Sequence, residues 1–124
     1  MDRRHRRPAV RRAPDRRGKV IARLWSARAT PPQARAYVHY LETHVLPALR
    51  KLDGYAGAML LERRACGDVE IVVVTWWRSL DAIRAFAGAD LEEAVVADEA
   101  AALLTHFDRR VRHYELVVQD GGPP

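Results

Sequence analysis

Two tryptophans and a serine at the end of an apolar run suggest chemistry more directly than any other residues in the sequence. Trp76 and Trp77 close the run, and Ser79 follows in a position to cap a helix. An indole at such a strand-to-helix junction offers an aromatic ligand a flat apolar face and one N–H donor. Trp77 could equally be a core residue that seals a helix onto the sheet. The residues alone leave both roles open.

His113 is the second candidate for catalysis, because an imidazole titrates near neutral pH and can act as a general base. It shares one face of the last predicted strand with Glu115. Arg23 and Trp25 share the matching face of the first strand. We favour a structural role for His113, on a face where Arg23 and Glu115 form an ion pair near a subunit interface.

The other histidines do not predict a metal site. His39 and His44 are five residues apart, which places them about 140° apart around a helix axis, so they cannot share a metal ion. His44 lies nearer the apolar stripe of this helix and could reach a pocket, but a half-buried histidine with satisfied hydrogen bonds is the favoured interpretation. The sequence has no Ser-His-Asp arrangement, phosphate-binding glycine loop or zinc spacing. We predict no bound metal.

The elements that must position these residues follow the order β-α-β-β-α-β, the ferredoxin-like plan of an α+β fold. Strands are predicted over 19–26, 55–64, 69–77 and 110–118. Thr30-Pro31-Pro32-Gln33 predicts a capping box that begins the first helix, which Pro47 kinks or shortens. Further helices are predicted after Ser79 and from Asp90 to about Phe107. The helices then cover one face of a four-stranded antiparallel sheet.

Both faces of the third strand are apolar, and the helices can cover only one of them. Val72, Val74 and Trp76 alternate with Val73, Thr75 and Trp77, so neither face suits water. A second subunit is the natural cover for the remaining face, which predicts a homodimer closed into an α/β barrel. The predicted interface residues are Arg23, Trp25, Val72, Val74, Trp76 and Glu115.

Over residues 20–118 the sequence resembles the antibiotic biosynthesis monooxygenase superfamily of dimeric α/β barrels. The resemblance rests on the opening strand 20–25, the Trp77-x-Ser79 junction, and the segments 85–90 and 111–115. It implies a pocket between sheet and helices in each subunit. Cofactor-independent members oxidise polycyclic phenols or quinols with O₂, and haem-degrading members open a porphyrin.

The resemblance also implies which residues form the site. The tryptophan that both kinds of enzyme use corresponds to Trp77. Together with the positions of the other candidates in the sequence, this gives Trp77, Phe86, His44 and Ala22 as our predicted substrate-binding residues. Both kinds also rely on an asparagine, and this sequence has none. In the haem-degrading pattern the asparagine falls at Ala22, and the haem-ligating histidine falls at Val95 or Val96.

Two functions follow as expectations. One is a cofactor-independent monooxygenase that acts on a small aromatic compound. The other is a non-catalytic dimeric barrel that binds a small hydrophobic ligand or acts as a stability or regulatory protein. Haem binding, and nucleic-acid binding through the N-terminal arm, are further alternatives with less support in the sequence.

The arginine-rich start of the chain differs from the rest. Residues 1–17 hold eight arginines and two aspartates, so the body is nearly neutral although the chain carries +5. We predict a disordered tail over 1–17, one domain over 18–119 and a frayed end over 120–124. The arm could neutralise phosphates, but an incidental extension from an upstream start codon is the favoured interpretation. The single cysteine, Cys66, fits the cytoplasm, and no apolar run could span a membrane.

Overall fold

The computed structural model describes the backbone of residues 10–12 and the whole of residues 20–122. The strands are β1 Val10–Arg12, β2 Ile21–Ala29, β3 Tyr55–Ala65, β4 Asp68–Trp77, β5 His106–Phe107, β6 Arg112–Glu115 and β7 Val118–Asp120. The helices are α1 Pro31–Tyr40, a π-helical segment Leu41–Val45, α2 Leu46–Leu49, α3 Leu80–Ala87 and α4 Asp98–Ala101.

The main sheet is antiparallel and has the order β3-β4-β2, with both β5 and β6 paired to the other edge of β2. This is the strand order of the ferredoxin-like plan, and the helices lie on one face of the sheet. The predicted α+β fold is therefore confirmed. The last predicted strand differs in detail, because it is divided into β6 and β7.

A second, two-stranded sheet joins the two ends of the chain. β1 pairs antiparallel with β7, with Val10 opposite Asp120. Three residues of the predicted disordered tail, and the first residue of the predicted frayed end, are thus in strands. The remainder of the tail, and Pro123 and Pro124, lie outside the described residues.

The first helix begins as predicted and then continues past Pro47. Thr30 Oγ1 accepts from the Gln33 amide, and the Gln33 side chain accepts from the Thr30 amide, which completes the capping box. Proline at position 47 has no N–H to donate, and the turn before it is π-helical, with the Leu46 amide donating to the Leu41 carbonyl. The π-helical turn absorbs the proline without ending the helix.

The predicted helix from Asp90 to Phe107 is wrong. Only α4, Asp98–Ala101, is helical, and Phe107 belongs to β5. The carbonyls of Leu91 and Glu93, which a helix would use internally, accept hydrogen bonds from the Arg23 side chain. Tertiary contacts have overridden a high helix propensity in this segment.

The register of the sheet fixes which side chains face the helices. Arg23 lies opposite Thr75 and His113, and Trp25 lies opposite Val73. Directly opposed residues share a face, so these five side chains belong to the face that carries the helices. We call it the helix-side face.

We call the opposite face of the sheet the far face. The side chains predicted to face away from the helices are on this face only in β4. The apolar residues of the far face are Ala22, Leu24, Met59, Leu61, Val72, Val74, Trp76 and Tyr114. The predicted placement of Arg23, Trp25, His113 and Glu115 on this face is wrong, as is the placement of Ala22 beside the helices. Successive side chains of a strand point to opposite faces. One wrong choice of face for β2 and for β6 therefore put every side chain of these strands on the wrong face.

Two apolar clusters lie between the helix-side face and the helices. The larger one joins β2 and β4 to the first helix and α4, and includes Tyr37, Leu41 and Ile71. The smaller one contains Ile21, Leu49, Trp77 and Ile83. Among the described residues, no helix is long and apolar enough to cross a membrane.

Candidate functional site

A cavity of about 280 Å³ lies between the first helix and the helix-side face. Its aromatic walls are Trp25, Tyr37, Tyr40 and Phe86. Its aliphatic walls include Leu41, Val45, Leu49, Val73, Val96 and Val111. Polar side chains reach it from Arg23, His44 and Thr75. The volume is near the lower end of the range for ligand pockets, roughly 300–1,000 Å³, which suits a small ring compound.

Arg23 is the charged residue of this cavity, and it is only 5% exposed. Its Nη1 donates to the Leu91 carbonyl at 2.6 Å, and its Nη2 donates to the Glu93 carbonyl at 2.8 Å. The guanidinium carbon lies 5.5 Å from the centre of the Phe86 ring, a cation–π distance. The irregular segment after Asp90 is therefore folded around a buried cation.

His113 is held against the same guanidinium. Arg23 Nη1 lies 2.9 Å from His113 Nε2, and because a guanidinium only donates, the imidazole accepts through Nε2 and keeps its proton on Nδ1. Burial and then the charge of Arg23 lower the pKa of His113, while Glu92 opposes them. His113 is not among the residues that line the cavity. Its position supports Arg23 and gives it no contact with a ligand.

This contact predicts that acid destabilises the fold through His113. Its pKa in the folded state lies below the ordinary 6.5, so the unfolded chain binds the proton more readily. The stabilisation is present above pH 6.5 and is lost as the pH falls through the lower folded value. We expect the melting temperature to fall over that range, and His113→Gln, whose amide oxygen can still accept from Arg23, to reduce the fall. His39→Gln, exposed on α1, is the control; equal pH profiles for all three proteins would contradict the assignment.

Trp77 does not line the cavity, which corrects the prediction that it contacts a ligand. Its side chain is fully buried, and its indole N–H donates to Thr75 Oγ1 at 2.9 Å. It packs edge-on against Tyr55, at 5.6 Å between ring centres, and stacks on Phe86 at 5.3 Å. Trp77 therefore lies behind the cavity wall and supports Thr75 and Phe86, which do line the cavity.

Phe86 and His44 both line the cavity, where the prediction placed them. Phe86 lies between Trp77 and Arg23. His44 stacks on Tyr40 with the ring centres 5.1 Å apart, and its Nδ1 lies 2.8 Å from Thr43 Oγ1. Their roles in binding remain predictions.

The positions taken from the haem-degrading pattern do not fit a haem site. Ala22 is buried on the far face, away from the cavity. Val95 and Val96 do line the cavity, but their side chains have no atom that can ligate iron. Across residues 20–122, no group of three or more histidine, cysteine, aspartate or glutamate side chains could hold a metal ion.

Sequence reasoning missed several residues of the cavity, chiefly Arg23, Tyr37 and Thr75. A signal for Tyr37 was present, since Ala34, Tyr37 and Leu41 are spaced by three and four and share the buried face of the helix. The charge of Arg23 favoured a position on the face away from the helices, and this inference was wrong. Only the acceptors that surround Arg23 explain its burial.

Comparisons with known proteins support this fold. No family model and no curated protein matches the sequence. A Bacillus cereus protein assigned by name to the antibiotic biosynthesis monooxygenases has a similar structure, with a TM-score of 0.53 and 18% identity over 86% of this chain and 100% of that one. The ActVA-Orf6 monooxygenase of Streptomyces coelicolor, solved with nanaomycin D, is also similar. Its TM-score is 0.51 and its sequence identity 19%, over 89% of this chain and 96% of that one.

These similarities confirm the sequence resemblance at the level of the fold. The chain has the ferredoxin-like α+β fold of antibiotic biosynthesis monooxygenase-type proteins.

Proposed function

We propose that this chain binds a small aromatic compound in its cavity and oxidises it with O₂, as an antibiotic-biosynthesis-type monooxygenase without a bound cofactor. The observation that carries the proposal is the cavity itself, with four aromatic residues on its walls and few polar groups. The monooxygenase names of proteins with the same fold support the reaction class.

A phenol can supply every electron that such a reaction needs. One atom of O₂ replaces a ring hydrogen and becomes a carbonyl, the other leaves as water, and the phenol becomes a quinone. The ring donates four electrons to O₂, so no external reductant takes part. The chain would contribute apolar walls that exclude water and fix the ring, and polar groups such as Thr75 and His44 at their edge.

Filling the cavity tests whether it is the reaction site. We expect Val96→Trp, at a half-buried wall position, to lower both ligand affinity and O₂ uptake at least about tenfold, because the larger ring occupies space that the ligand needs. O₂ uptake with a panel of naphthols and quinols, together with quinone absorbance, gives the rates. Val117→Trp, at a position 65% exposed and outside the cavity, is the matched control. Equal loss in both variants would contradict this location of the site.

A non-catalytic binding protein is the second candidate function. It is favoured by Trp77, whose only N–H is already bonded to Thr75 and is not offered to a ligand. It is also favoured by the absence of asparagine from the sequence. Under this alternative the wild-type protein binds aromatic compounds that Val96→Trp excludes, while O₂ uptake stays at the uncatalysed rate.

We further propose that a second copy of this chain covers the far face, giving a homodimer. The far face is apolar across β3, β4, β2 and β6, and Leu61 and Tyr114 on it are 53% and 49% exposed. A contiguous apolar face of this kind is typical of a protein interface. The two-fold arrangement lets the same surface serve both partners.

A further inference from the structure

Arg23 carries a buried charge that the described part of the chain does not neutralise. Among the described residues, its hydrogen-bond partners are two carbonyls and the neutral imidazole of His113. No carboxylate within residues 20–122 forms an ion pair with it. Burial lowers the pKa of Arg23 to about 10, so it is still a cation at neutral pH. A buried cation without an anion is costly, and an anionic partner would offset that cost.

Some N–H donors of the same guanidinium form no hydrogen bond with the described part of the chain. It has five N–H groups, and the bonds to Leu91, Glu93 and His113 use three of them. The N–H of Nε and one N–H of Nη2 have no acceptor among the described residues. Because Arg23 also lines the cavity, these donors are available to a ligand oxygen there.

Tyr37 provides an independent observation at the same cavity. Its side chain lines the cavity and is only 5% exposed, and its hydroxyl has no hydrogen-bond partner within the described chain. Burial, reinforced by Tyr40, raises the pKa of Tyr37 to about 12, so the hydroxyl keeps its proton. A buried hydroxyl without a partner is uncommon in folded proteins, which points to an acceptor on the ligand.

The two donors come from different elements of the cavity wall, Arg23 from β2 and Tyr37 from α1. Tyr37 packs on Trp25, at 6.0 Å between ring centres, and Trp25 is two residues from Arg23 on one strand face. Two residues of strand span about 7 Å, so the residue that Tyr37 packs on is about that far along β2 from Arg23, and a ligand that reaches both donors must be elongated.

We propose that the cavity selects an aromatic compound with an anionic oxygen, carboxylate or phenolate, which Arg23 binds, and with a second polar atom at its far end that accepts from Tyr37. This inference rests on the proposed function, whose ligand it defines by charge and length. The apolar walls hold the ring between the two donors.

Matched probes test the charge. We expect 2-naphthoate to bind at least about tenfold more tightly than 2-naphthamide, its neutral counterpart, because only the acid makes a charge-assisted bond to Arg23. Calorimetry at neutral pH gives both dissociation constants. Arg23→Gln, which removes the cation, should bring the ratio of the two dissociation constants close to one. Arg23→Lys, which keeps the cation, should retain most of the preference.

A second variant tests whether the ligand reaches from Arg23 to Tyr37. In the wild-type protein 6-hydroxy-2-naphthoate should bind several-fold more tightly than 2-naphthoate, and Tyr37→Phe should abolish that gain while preserving the preference for acid over amide.

Equal affinities of acid and amide in the wild-type protein would overturn the anion inference and leave an aromatic-binding cavity intact. If neither probe binds, both this inference and the proposed cavity function fail. If Arg23→Gln does not fold, as circular dichroism will show, the wild-type ratio and Arg23→Lys still decide the question.

Discussion

Replacing Trp77 with alanine lowers the free energy of unfolding by about 3–5 kcal/mol, the range for truncating a buried aromatic side chain. The indole is fully buried and packs on the rings of Tyr55 and Phe86, within the cluster of Ile21, Leu49 and Ile83. Its removal leaves a void between α3 and the sheet that the backbone cannot close. Since a domain of this size is stable by only about 5–15 kcal/mol, denaturant unfolding will register the change clearly.

Two companion variants separate the contributions to this loss. Trp77→Phe keeps an aromatic ring and removes the N–H bond to Thr75, so a loss of about 1–2 kcal/mol is expected. Leu80→Ala, three residues further along and 46% exposed, should change stability by less than about 0.5 kcal/mol. If Trp77→Ala unfolded like the wild type and lost only O₂ uptake, Trp77 would be a ligand contact instead of a core residue.

The fold could be predicted because its signals are local. The alternation of apolar residues along 71–77, the capping box at Thr30 and the serine cap at Ser79 each specify one element, and all three are present in the structure. The order of these elements along the chain is compatible with only a few topologies. The order of the strands in the sheet follows from this plan without any knowledge of side-chain contacts.

The facing of β2 could not be predicted in the same way. Ala22 and Leu24 are as suitable for the core as Ile21 and Trp25, and Arg23 between them argues for the wetter side of the sheet. The structure instead buries Arg23 against carbonyls of residues some 70 positions away in the sequence. No local pattern carries that information.

The segment after Asp90 was missed for the same reason. Its composition favours a helix, but its backbone bonds go elsewhere: the Ala94 amide donates to the Arg109 carbonyl at 2.9 Å, and the Val111 amide donates to the Glu92 carbonyl at 2.8 Å. Arg23 takes two further carbonyls of the segment. One buried cation thus explains both errors, in the facing of β2 and in the predicted helix, and it is the residue around which the candidate site is built.

Replacing Trp76 with glutamate converts the proposed homodimer into a monomer. Trp76 lies on the far face of β4, an interior strand of the sheet, between Gly57 of β3 and Ala22 of β2. A carboxylate there would lie in an apolar interface without a partner, which costs several kcal/mol in each subunit, and the two-fold axis imposes the cost twice. In the monomer the same carboxylate faces water, so the fold itself should persist.

Sedimentation equilibrium or native mass spectrometry reads the outcome directly. We expect the wild-type protein at twice the 14.1 kDa mass of the chain and Trp76→Glu at that mass itself, with unchanged circular dichroism. Ala36→Glu, an exposed position on α1, introduces the same charge on the opposite side of the sheet and should leave the dimer intact. A wild-type protein that is monomeric at tens of micromolar would show that the far face is not a homodimer interface. A dimer that tolerates Trp76→Glu would show that the subunits meet through a different surface.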